Sequence, residues 1–149
     1  MSQLSKILVP TDFSEYSESA VDYACDLAMD SDKSRSQVHL IHVVSDSPGG
    51  EMQEAKLRSR LEKLGSSVDA KTELDVETAT RVIPGDPSHV ITDYARDNAI
   101  NMIVMGTHGR TGLSHLALGS VAERVVRNSV CPVLVVGPRD KSMANTASG

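Results

Sequence analysis

Short apolar runs alternate with longer amphipathic segments along this chain, and that alternation decides its fold class. Ile7-Leu8-Val9 is an apolar run closed by Pro10, the pattern of a buried strand. Val38 to Val44 predicts a second strand, Met102 to Met105 a fourth, and Pro132 to Val136 a last one. A third strand falls within Thr72 to Val82, where the polar, broken pattern predicts an exposed edge. Helical segments lie between the runs. From Ser14 to about Ser31, Ala20, Ala24, Leu27 and Ala28 recur on one face. From Glu51 to Leu64, Leu57, Leu61 and Leu64 form one stripe, with Gly65 as the expected C-cap. Asp86-Pro87 opens a third helix with a capping carboxylate and a proline at the first helical position, followed by apolar Val90, Ile91, Tyr94 and Ala95. Ser120 to Asn128 is the last helix. Strands that alternate with helices predict an α/β fold, a parallel sheet with helices on both faces. Right-handed crossovers restrict the topology but leave the strand order open.

Between the fourth strand and the last helix runs a long connection carrying Gly106, Gly109, Gly112 and Gly119. A glycine-rich link of this kind lets backbone N–H groups approach oxyanions, and the helix start adds unpaired donors and partial positive charge. The spacing, Gly106-x2-Gly109-x9-Gly119-Ser120, is neither a Walker A loop nor the dinucleotide fingerprint. One reading is a phosphate cradle; the other is a long surface loop with glycines at its turns. Connections beyond about 12 residues inside a compact domain are usually functional or disordered. Gly112 lies outside the spacing. Arg110 is the one cation in the loop and can meet phosphate, or can simply be solvated. His108 and His115 share the loop but match no strong metal spacing. Ser120-Val121-Ala122-Glu123 is also a capping box, so Ser120 has two expected roles, closing the helix start and receiving phosphate with the N–H groups of Ser120 and Val121.

Composition narrows the ligand class. A chain of 149 residues fits one domain with one core. A net charge of −5 argues against a nucleic-acid backbone as partner. With one Phe, three Tyr and no Trp, base-stacking platforms are scarce, so an adenine would rest on aliphatic side chains and backbone hydrogen bonds. Cys25 and Cys131 form no metal or redox motif, which fits a reducing, cytoplasmic compartment. Met1 to Lys6 lacks the apolar core of a secretion signal, and no apolar run is long enough to span a membrane. The small, polar stretch 139–149 is expected to be a disordered tail beyond a domain spanning 1–138. His39 and His42 sit three apart on a strand, so they point to opposite faces and read as ordinary surface or polar-core histidines.

The loop spacing resembles the nucleotide-binding signature of the universal stress protein family. So do the opening strand Lys6-Ile7-Leu8-Val9-Pro10-Thr11-Asp12-Phe13-Ser14, the segment Gly85-Asp86-Pro87 and the closing run Cys131-Pro132-Val133-Leu134-Val135-Val136. The resemblance covers nearly the whole chain. It implies a Rossmann-like, open five-stranded parallel sheet in the order 3-2-1-4-5, with a ligand crevice at the C-terminal ends of strands 1 and 4. It implies ATP as ligand, with Mg²⁺ carried on the triphosphate. Pro10, Thr11 and Asp12 would then meet the adenosine portion. A carboxylate at Asp12 suits a ribose hydroxyl or the adenine amino group, since both are donors; Asp12-Phe13-Ser14-Glu15 also reads as a helix-capping pattern. The backbone of Val43 would read the adenine edge. Met105, Gly106, His108, Gly109, Arg110, Gly119, Ser120 and Val121 complete the implied nucleotide site.

The resemblance further implies a cytoplasmic homodimer that pairs through Val133, Leu134, Val135 and Val136 at a sheet edge. An interior strand covered on both faces would be equally apolar. The implied function is a nucleotide-dependent regulator or stress-resistance factor, read by a protein partner that the sequence does not name. The alternatives are a nucleotide-independent, chaperone-like dimer and a slow ATPase. There is no nucleophile–base pair, no Walker lysine and no carboxylate placed to orient water, so any hydrolysis is expected to be slow. His39-Leu40-Ile41-His42 matches the His-x-x-His of adenylyl-transfer enzymes by letter only, since it lies inside a strand.

Overall fold

The computed structural model describes residues 5–29, 36–44, 50–73, 75–108 and 118–137. Strands and helices alternate in chain order as β1 (Lys6–Pro10), α1 (Glu15–Met29), β2 (Gln37–Val44), α2 (Gly50–Lys71), β3 (Glu77–Pro84), α3 (Pro87–Asp97), β4 (Met102–Gly106), α4 (Ser120–Asn128) and β5 (Val133–Val136). The strands form one five-stranded sheet in the order β3-β2-β1-β4-β5. Every neighbouring pair is parallel. The α/β class and the strand order are those expected. β5 lies at an edge, which removes the alternative of an interior last strand.

β1 is central, and its residues alternate between two apolar layers as strand periodicity demands. Ile7 and Val9 pack with Val38 and Leu40, with Ala20, Val21 and Ala24 of α1, and with Leu61 and Val68 of α2. Leu8 packs on the opposite face with Ile41, Ile103 and Met105, with Ile91, Tyr94 and Ala95 of α3, and with Ala122 and Val125 of α4. Each fully buried aliphatic side chain contributes about 1.5–3 kcal/mol relative to exposure. The alanines of α1 allow that helix to lie close to the sheet. At the end of β4 the approach is close enough that a Cβ on Gly106 would stand 2.7 Å from Tyr16 Cβ and 2.9 Å from the Tyr16 carbonyl carbon.

Several boundaries differ from the sequence expectation for identifiable reasons. Helix α2 does not stop at Gly65 but runs on to Lys71. Gly65 is buried, and a Cβ there would lie 3.0 Å from Thr80 Cγ2, so the glycine permits contact with β3 rather than ending the helix. Val68 continues the apolar stripe one turn further. At the start of α1, Ser14 rather than Asp12 acts as the cap: Ser17 N–H donates to Ser14 Oγ at 3.3 Å and Glu18 N–H to Ser14 O at 3.0 Å. At α4 the capping box fails. Gly119 is the N-cap, with no side-chain cap bond, and Ser120 is already helical. Asp86 does cap α3, accepting from His89 N–H, with Pro87 at the first helical position. The expected tail, 139–149, lies outside the described residues. Among the described residues, no helix is long and apolar enough to cross a membrane.

Candidate functional site

The crossovers set the site. α1 and α2 cover one face of the sheet, α3 and α4 the other. β1 and β4 are neighbours whose outgoing connections therefore leave toward opposite faces, and a crevice opens beyond their C-terminal ends. A cleft of about 360 Å³ lies there, within the usual range for small-molecule sites. Pro10, Thr11 and Asp12 line it from the end of β1, Val43 from the end of β2, Met105, Gly106 and His108 from β4 and beyond, and Gly119, Ser120 and Val121 from the start of α4. These residues were expected to share a site, and the fold brings them together. Gly109 and Arg110, expected with them, lie outside the described residues, as do Gly112 and His115. Ser17, His42, Pro87, Ile91, Thr107 and Ala122 also line the cleft and were not anticipated.

One wall is a tightly bonded turn. Thr11 N–H donates to Ile41 O at 2.9 Å, extending the β1–β2 pairing by one residue. Thr11 Oγ1 accepts from Phe13 N–H at 3.0 Å and donates to the buried Ser17 hydroxyl at 3.0 Å. The Asp12 carboxylate accepts from Ser14 N–H at 3.0 Å and lies 3.2 Å from Ser17 Oγ, both through Oδ1. His42 Nδ1 sits 2.7 Å from Thr11 O. A carbonyl only accepts, so this ring nitrogen carries the proton.

The opposite wall is the start of α4. Thr107 and Gly119 flank the glycine-rich connection, and a single bond, Gly119 N–H to Thr107 O at 2.8 Å, ties them together. Thr107 N–H in turn donates to Val136 O at 2.9 Å, anchoring this neck to β5. The first N–H groups of a helix have no intrahelical acceptor, so those of Ser120 and Val121 give this wall donors and the positive end of the helix dipole. His108 Nδ1 lies 3.1 Å from Thr107 Oγ1, and its ring packs edge-on to Tyr16 at 5.6 Å. Between the walls, Val43, Ile91, Met105 and Ala122 supply an aliphatic floor.

Away from the cleft wall, His39, Tyr94 and Asp86 serve structural contacts. His39 is buried on the other face of β2 from His42, 2.7 Å from Tyr94 Oη and 3.0 Å from Gln37 Oε1. Burial pushes the His39 pKa down and the Tyr94 pKa up. The Ser88 hydroxyl and the His89 N–H hold the Asp86 carboxyl below its ordinary value. Cys25 is buried and Cys131 is partly buried; both are free thiols. Among the described residues, no group of three or more His, Cys, Asp or Glu is placed to hold a metal ion. Asp12 is the one carboxylate on the described lining. A divalent cation in this cleft would therefore draw most of its oxygen ligands from a phosphorylated ligand and water.

A model of the Universal stress protein family matches residues 3–137. The universal stress protein MJ0531 of Methanocaldococcus jannaschii is 36% identical over 143 residues, spanning 88% of this chain and 81% of that protein. Among solved structures, the universal stress protein UspA from Lactobacillus plantarum superposes with a TM-score of 0.78 at 26% identity, covering 91% of this chain and 99% of that one. A universal stress protein in complex with cAMP superposes with a TM-score of 0.69 at 25% identity, covering 93% of this chain and 100% of that one.

Proposed function

This chain belongs to the universal stress protein family, and from that membership we propose that it is an ATP-binding stress or regulatory protein. The observation that carries the reading is the cleft itself. It sets an oriented carboxylate, Asp12, across an aliphatic floor from the N-terminus of α4. Adenine rests against Val43 and Met105 and reads the β2 backbone. Ribose hydroxyls donate to Asp12, and the phosphates lie along Gly119, Ser120 and Val121 and the loop that holds His108, Gly109 and Arg110. Mg²⁺ enters with the triphosphate. A relative with bound cAMP supports nucleotide as the ligand class.

ATP acts here as a switch: it favours one conformation or assembly, which a protein partner reads. A homodimer through the β5 edge belongs to the same reading, because Val133, Leu134, Val135 and Val136 form an apolar edge strand. So does residence in the cytoplasm, which two free thiols support. Calorimetric titration tests the ligand. ATP with Mg²⁺ is expected to bind in preference to GTP, and Gly119→Val to abolish binding, because a Cβ at this position already lies 3.3 Å from Thr107 O. No heat of binding with millimolar ATP would favour the nucleotide-independent dimer instead.

A further inference from the structure

We propose that His42 is a positioning residue for the sugar of the bound nucleotide: by gripping the Thr11 carbonyl, it fixes the turn that aims Asp12 into the cleft. The inference rests on the nucleotide reading above and adds a residue to it. Thr11-Asp12-Phe13-Ser14 joins β1 to α1, and it passes through Phe13 at φ 65°. A bulky L-residue rarely adopts that region, and it persists only where surrounding contacts impose it. His42 makes two of those contacts. Its Nδ1–H donates to Thr11 O at 2.7 Å. Its ring packs against the Phe13 ring at 4.8 Å between centroids, and the Arg60 guanidinium lies over the same Phe13 ring at 4.3 Å.

The direction of this grip matters. The last backbone bond between β1 and β2 in this region is Thr11 N–H to Ile41 O. His42 adds a side-chain bond back to the carbonyl of the same residue, so both polar groups of the Thr11 backbone are held by β2. From there the geometry passes along the turn: Phe13 N–H is held by Thr11 Oγ1, and Ser14 N–H by Asp12 Oδ1. Thr11, Asp12 and His42 all line the cleft. With the Thr11 carbonyl released, the turn can relax out of the left-handed conformation at Phe13, and the Asp12 carboxylate moves with it.

The test uses variants that separate the donor from the ring. His42→Phe keeps a ring against Phe13 and removes the donor. His42→Asn removes the ring but keeps an N–H one bond beyond Cγ, where Nδ1 stands. His42→Leu replaces the phenylalanine variant if its larger ring prevents folding. Affinities are measured for ATP and for 2′,3′-dideoxy-ATP. Loss of a hydrogen bond that orients a charged group should weaken ATP binding by about tenfold in His42→Phe. The same substitution should cost the dideoxy analogue much less than it costs ATP, and His42→Asn should restore ATP binding. Equal losses for both ligands, no loss for ATP, or failure of His42→Asn to rescue would overturn the sugar role. Amide hydrogen exchange at Phe13 and Ser14 in ligand-free protein gives a second readout, faster in His42→Phe and restored in His42→Asn. Unchanged exchange overturns the grip on the turn. A wild-type protein that takes no ATP overturns the nucleotide reading and the sugar role with it, while exchange still decides the grip.

Discussion

Two glycines of one loop signature have different reasons to be glycine, and Gly106→Ala and Gly119→Ala separate them. At Gly106 the added Cβ would meet Tyr16 Cβ at 2.7 Å, the Tyr16 carbonyl carbon at 2.9 Å and its oxygen at 3.0 Å. Carbon atoms in good contact stand about 3.5–4.0 Å apart, so something must yield by about 0.8 Å. The obstructing atoms are backbone and Cβ of α1, which cannot rotate away. That helix is anchored through Ala20, Val21, Ala24 and Ala28 in the core. Strain of this kind costs about 1–3 kcal/mol. For a domain of this size, a loss of about 2 kcal/mol lowers the melting temperature by about 4–8 °C. At Gly119 the nearest atoms to an added Cβ are Thr107 O at 3.3 Å and His108 Cα at 3.4 Å. Its φ of −61° suits any residue, and alanine at this N-cap should cost no more than about 1 kcal/mol. Thermal and urea unfolding of the two variants, run beside ATP titration, decide the matter. Gly106→Ala should melt well below wild type, and Gly119→Ala should melt near it but bind ATP more weakly. A Gly106→Ala protein that melts within a degree of wild type would refute the packing argument.

Three further outcomes follow from the same structure. His39 has a lowered pKa because it is buried, so the unfolded chain binds its proton more readily than the folded one. Its contribution is complete above about pH 6.5 and is lost as pH falls through the lowered folded value. His39→Gln should flatten that decline in melting temperature, and parallel pH profiles for the two proteins would contradict it. Val135→Lys places a charge in the β5 edge and should shift the protein from dimer toward monomer in light scattering while sparing ATP binding; a wild-type monomer at micromolar concentration, with and without ATP, would rule the arrangement out. Single-turnover assays should find ATP hydrolysis far slower than the typical enzyme turnover of about 10 s⁻¹, and a rate near that value would mean that a catalytic group lies in the cleft.

The parts of this fold readable along the chain are those whose signals are local. Asp86-Pro87 names a helix start by itself, because the cap and the missing proline N–H act within one turn. The apolar runs of β1 and β4 name themselves in the same way. Local signals misled where a distant partner changed their meaning. Gly65 looks like a helix end, yet Thr78 and Thr80 of β3 make it a packing glycine. Ser120 begins a well-formed capping box, but the bond between Gly119 and Thr107 draws the cap back by one residue. His42 reads as ordinary because strand periodicity sends it to the face opposite Ile41 and Val43. Its partner, the Thr11 carbonyl, is 31 residues away in sequence. Ser17 is hidden for a related reason: as one of two serines in α1, it gains its meaning from the Thr11 hydroxyl and the Asp12 carboxylate. The strand order came from family resemblance rather than from pattern, and with it came the position of the cleft.

The central claim is that ATP occupies the crevice beyond β1 and β4, and backbone amide chemical shifts followed during ATP titration test it most directly. Addition of ATP with Mg²⁺ should shift the amides of Thr11, Asp12, Val43, Gly106 and Gly119 to Val121 in one saturable process. The amides of Lys6, Gln37 and Met102, at the far ends of their strands, should stay in place. No shifts at millimolar ATP, or shifts confined to residues away from this cleft, would contradict the account.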